Sequence, residues 1–87
     1  MNADWVLFHL HEAREELTRM ISQLESGDQS EEEFAIAITH LYNHLNTAWN
    51  SRHESPERTT ESSQLDFYAW RAFPRDIQMG PEPGPAA

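Results

Sequence analysis

The sequence predicts an all-α protein: a long antiparallel helical hairpin plus a short C-terminal helix, dimerising into a four-helix bundle. Apolar residues recur at three- and four-residue spacing from Ala3 to Leu24 and again from Phe34 to Ala48. A four-residue turn, Ser26-Gly27-Asp28-Gln29, separates the two stretches, so the helices should be antiparallel neighbours. One side of the resulting hairpin is too apolar to face water, which is the argument for the dimer.

The first helix is expected over residues 3–25, capped by Asn2 or Asp4. With Ala3 at heptad position a, the seam holds Ala3, Leu10, Leu17 and Leu24 at a, and Val6, Ala13 and Met20 at d. Leu7, Arg14 and Ile21 widen the stripe on the e flank, and His9, Glu16 and Gln23 occupy the g flank. Gly27 suits the left-handed residue that closes a helix, because it has no Cβ to clash.

Ser30 opens the second helix, expected over 31–52, and Glu33 completes a capping box. Glu31, Glu32 and Glu33 meet the positive end of the helix dipole. The seam of this helix is Phe34, Ile38, Leu41, Leu45 and Ala48. Antiparallel pairing then sets Leu24 against Phe34, Met20 against Ile38, Leu17 against Leu41, Ala13 against Leu45 and Leu10 against Ala48. The e flanks of the two helices adjoin and bring together Leu7, Ile21, Ala35, Tyr42 and Trp49. That strip needs a cover, supplied by the C-terminal segment, a second hairpin or a different protein.

Ser55-Pro56 ends the hairpin, because the residue before proline is pushed out of helical geometry. A polar loop is expected over 54–63, then a short helix over 64–72 capped by Ser62 or Ser63. Leu65, Phe67, Tyr68, Trp70 and Phe73 are too many large apolar groups for a disordered tail, so this segment should strap back over the hairpin, near Trp5 and Phe8. Arg71 and Arg75 are placed to stack on rings or to pair with the acidic helices. Residues 1–76 form one small domain, and the Gly/Pro-rich stretch 77–87 is expected to be a disordered tail.

Composition narrows the function. Net charge is -9, from fifteen Asp and Glu against six basic residues, all of them arginine. Binding to nucleic acid or to an anionic membrane surface needs the opposite balance. The longest apolar run, Trp5 to Phe8, is far too short to span a bilayer. No basic stretch followed by an apolar core opens the chain, so no signal peptide is expected and the expected location is cytoplasmic. With no cysteine, disulfides and thiolate zinc sites are excluded, which leaves self-association as the expected staple of so small a core.

Three constellations bear on chemistry. His40 and His44 lie one helical turn apart, Glu12 and Glu16 have the same spacing on the first helix, and His9 precedes Glu12 by a turn. Imidazoles and carboxylates converging between helices are how bundles build metal sites, so His9, Glu12, Glu16, His40 and His44 are the candidate ligands. The plainer reading, residues that flank the seam and pair loosely across it, is preferred, and no cofactor is expected. Thr39, Asn43, Asn46 and Asn50 form a polar row, read as ordinary exposed helix rather than a recognition surface. Trp49 and the Phe67-Tyr68-Ala69-Trp70 run are read first as core filler and second as partner anchors.

No phosphate loop, nucleophile elbow or cysteine nucleophile appears, so an enzyme is not expected. The expected function is a small acidic interaction module, a homodimeric regulator or adaptor with a basic or apolar partner surface. Its interface residues would be Leu7, Ile21, Tyr42, Trp49 and Trp70. A metal-binding bundle is the alternative, and an acidic mimic of nucleic acid ranks last.

Overall fold

The computed structural model describes residues 1–80. The elements run α1 (Ala3–Ser26), α2 (Glu31–Asn50), α3 (Pro56–Thr60) and α4 (Gln64–Trp70). No strand occurs among the described residues, and no helix there is long and apolar enough to cross a membrane.

The local signals decide where the hairpin begins and turns. The Asn2 side chain caps α1 by accepting from the Trp5 backbone N–H. Gly27 closes α1 in the left-handed conformation, φ 75°, where any Cβ would be strained. Ser30 and Glu33 make the reciprocal capping box that starts α2. Across the turn, the Gln29 side-chain amide donates to Gln23 Oε1 at 2.7 Å. The open end is tied as well, since the Asn2 backbone N–H donates to the Arg52 carbonyl at 2.7 Å and its amide donates to the Glu54 carbonyl at 3.2 Å.

The rotational setting of the helices differs from the expected seam. The buried residues of α1 are His9, Ala13, Glu16 and Met20, and those of α2 include Ala37 and Ala48. The leucines expected to pair across the seam are turned aside. Leu7, Leu10, Leu17, Ile21 and Leu24 are each 44–52% exposed. Small side chains explain the shift: Ala13, Ala37 and Ala48 let the two backbones approach, and the bulkier stripe is displaced to one side of the contact. On a helical wheel that stripe sits about a quarter-turn from the buried direction.

The segment expected as loop over 54–63 contains a helix of its own, α3. Ser55 caps it and Pro56 occupies its first turn, where proline is at ease because its missing N–H would have had no partner. Helix α2 stops at Asn50 and α4 at Trp70, each two residues short of expectation. Ser63 caps α4 in a second capping box with Asp66. Of the expected tail, 77–80 carry no regular structure and the rest lies outside the described residues.

The strap does fold back, but onto the Asn row. Helix α4 is short, and its last carbonyls have no helical partners of their own. The Asn50 side-chain amide donates to the Trp70 and Ala72 carbonyls, both at 2.7 Å, and Asn46 donates to the Arg71 carbonyl at 3.0 Å. The row read as ordinary exposed helix is therefore a clamp on the end of α4. Replacing Asn50 with alanine should cost about 1–2 kcal/mol, because two carbonyls lose their donor. Hydrogen exchange of the α4 amides should speed up while that of α1 stays unchanged.

Candidate functional site

Two faces of the hairpin carry the residues that sequence reasoning singled out. On one face the five candidate ligands come together. His9 Nδ1 lies 3.0 Å from His44 Nδ1. The His40 ring centroid is 4.8 Å from that of His44. His40 Nδ1 lies 3.2 Å from Glu16 Oε2, and Arg19 donates to the same carboxylate oxygen at 2.7 Å. Glu12 and Glu16 are close enough for their charge to act on His44.

Four of the five are turned upon one another, and Glu12 makes no hydrogen bond or ion pair among the described residues. The His9–His44 contact joins two ring nitrogens, so one must carry a hydrogen and the other a lone pair. Glu16 is buried and needs its partners, which Arg19 and the Nδ1–H of His40 supply. Among the described residues, no group of three or more His, Asp or Glu side chains is arranged to hold a metal ion.

Burial sets the charge state of the pair. His9 is 7% exposed, its Nε2 has no hydrogen-bond partner among the described residues, and the Trp5 ring stands edge-on at 4.4 Å. Loss of hydration, then the neighbouring His44, pushes the His9 pKa from 6.5 down to about 4. Desolvation and the His40 ring also lower His44, against the opposing pull of Glu12 and Glu16. Both rings are neutral at pH 7.

Trp5 joins three parts of the chain at the edge of this face. Its Nε1–H donates to Ser51 Oγ at 2.7 Å, and Ser51, fully buried at the end of α2, passes its own hydrogen to the Thr47 carbonyl. Trp70 of α4 lies edge-on to Trp5 with centroids 6.2 Å apart, which is the strap contact expected near Trp5 and Phe8. Arg58 of α3 lies 5.4 Å from the Trp70 ring centre, while paired with Asp66.

The opposite face is apolar. Helical spacing puts Leu7, Leu10, Leu17, Ile21 and Leu24 of α1 on it, and Phe34, Ile38, Leu41 and Leu45 of α2 on the adjoining side. The α2 side chains are half-buried except Leu45, which is exposed. Of the five expected interface residues, Leu7 and Ile21 stand open here. Tyr42 sits at the border, 44% exposed, with Phe73 edge-on against it at 5.1 Å. Trp49 is engaged within the chain, under Arg52 at 3.5 Å and donating to Asp76 at 3.0 Å. Trp70 is likewise spent on Trp5.

Sequence reasoning missed two participants. Ser51 falls at the end of the expected second helix, and its spacing from Trp5 gives no signal. The Asn row did give one, a three- and four-residue repeat of a residue that seldom favours helices. No protein-family model matches the chain, and neither a curated protein nor a solved structure matches it.

Proposed function

We propose that the protein is a small, acidic, non-catalytic interaction module that acts as a homodimer, two hairpins closing through their apolar faces into a four-helix bundle. The observation that carries this reading is the setting of the helices. The hairpin buries alanines, His9 and Glu16 in its own seam, and leaves its leucine stripe half-exposed.

The strap supports the same reading by its absence from that face. It is held on the Asn row of α2 and against Trp5, so the C-terminal segment, one of the three candidate covers, is used elsewhere. Two adjacent helices of this length present a face of roughly 30 by 20 Å, on the order of the ~800 Å² that stable interfaces bury per partner. A second copy suits the face because between Val6 and Leu24 the stripe carries a single charge, Arg14. The acidic residues lie on other sides, so association does not stack carboxylates at its centre. The exterior that results is strongly negative, which favours a partner with a basic surface.

Native mass spectrometry and light scattering on untagged protein test the reading. A mass of twice 10.1 kDa is expected, and Leu17→Glu is expected to give a helical monomer, since a buried unpaired carboxylate is not tolerated at an interface core. A wild-type chain that stays monomeric at micromolar concentration would refute the proposal.

A further inference from the structure

The geometry points to a second binding site, beyond the dimer: a carboxylate pocket between α2 and the strap, suited to a small aromatic acid. The pocket has a volume of about 450 Å³ and is lined by Thr39, Tyr42, Asn43, Tyr68, Arg71 and Phe73. That volume lies within the range of small-molecule sites.

Arg71 is the reason for naming a carboxylate. Three of the six arginines are spent on carboxylates. Arg19 pairs with Glu16, Arg52 with Asp76 and Arg58 with Asp66. Among the described residues, Arg14, Arg71 and Arg75 have no carboxylate within ion-pair distance, and of these only Arg71 lines this pocket. Its guanidinium instead lies over two rings, 4.5 Å from the Tyr68 centre and 5.1 Å from that of Phe67. Stacking of this kind uses the flat face of the group and leaves the N–H edge free for a planar, two-pronged acceptor.

The setting is rigid enough to hold that edge in place. The Arg71 carbonyl is anchored by Asn46, so its backbone is fixed where the side chain enters the pocket. Asn43 accepts from Thr47 Oγ1 through its Oδ1 at 3.3 Å. Its amide N–H groups have no acceptor among the described residues and are the second donor for an anion. Tyr42 and Phe73, edge-on at 5.1 Å, close the apolar wall on which an aromatic ring would rest. An arginine fork, an amide donor and an aromatic wall together match an aryl group carrying a carboxylate.

Phenylacetate is the probe, followed by two-dimensional amide NMR of the full chain. Saturable shifts are expected at Thr39, Asn43, Tyr68 and Ala72. Arg71→Gln keeps the carbonyl that Asn46 holds and should weaken binding by about tenfold or more, the loss expected for a charge-assisted hydrogen bond. Arg75→Gln removes the same charge from the same strap, outside the pocket, and should leave binding unchanged. Shifts that fail to saturate, equal losses in the two variants, or equal binding of phenylacetamide would each overturn the site. Glycyl-phenylalanine separates the sources: tighter binding than phenylacetate assigns the carboxylate to a peptide terminus, and weaker binding assigns it to a free acid. Leu17→Glu, which removes the proposed dimer, should bind phenylacetate normally, so the two proposals fail separately.

Discussion

Trp5→Ala is expected to cost about 3 kcal/mol, near the lower end for aromatic truncation because the ring is only half-buried. The loss is large because one side chain serves three elements. It donates to Ser51 at the end of α2, stands against His9 in the seam, and receives Trp70 from the strap. Against a total stability of about 5–15 kcal/mol for a small domain, that is a substantial share. Trp5→Phe keeps the ring contacts and loses the indole N–H, so about 1 kcal/mol is expected from the hydrogen bond alone. Urea unfolding followed by circular dichroism at fixed protein concentration measures both. A double-mutant cycle with Trp70→Ala should show positive coupling, since the rings touch. Additive losses, or a Trp5→Ala cost below about 1 kcal/mol, would mean that the strap docks without Trp5.

How far the fold could be read in advance follows from which interactions are local. Ser30 with Glu33, and Gly27 at its positive φ, act within one turn of chain, so their spacing alone placed the hairpin's ends. Helix α3 was legible by the same kind of rule. Ser55-Pro56-Glu57 is a cap, a first-turn proline and an acidic residue, and reading Pro56 only as a breaker concealed it. The rotational setting was not legible. A heptad pattern says that a stripe exists; it does not say whether the stripe meets the sister helix or looks past it. Ala13, Ala37 and Ala48 decided that by allowing close approach, and their effect depends on both helices at once. The candidate histidines and glutamates did assemble on one face, as helical spacing and antiparallel pairing require. What spacing could not tell is that His9 turns onto His44, and Glu16 onto His40 and Arg19, which is a matter of side-chain rotamers. The Asn row was a nonlocal case of a local need: α4 ends without carbonyl partners, and the amides that supply them come from some twenty residues earlier in the chain.

Acid should weaken the fold in a window set by the histidine pair. Above pH 6.5, His9 is neutral in both the folded and unfolded chain, and the stability of the seam is fully present. Below 6.5 the unfolded chain takes up a proton that the buried ring refuses, so unfolding becomes easier as pH falls. The loss continues until pH reaches the folded value of about 4, where the folded ring also charges. At about 1.4 kcal/mol per pH unit, His9 alone accounts for about 3 kcal/mol across that window. His44 adds to it in the same direction. Geometry makes the two act together: a second proton on this pair sets two N–H groups against each other across 3.0 Å. Asp66 and Asp76 act at the acid end of the range. The hydrogen bond from Arg58 holds Asp66, and that from Trp49 holds Asp76, below the ordinary value of 3.8, so their contributions are lost only at still lower pH. Urea midpoints taken from pH 7 to 4 should therefore fall steadily, and His9→Leu should flatten the slope. Imidazole NMR supplies a direct check on the unaltered protein. A His9 ring that titrates near 6.5 would show that water reaches it, and the seam would then contribute no pH dependence through this residue.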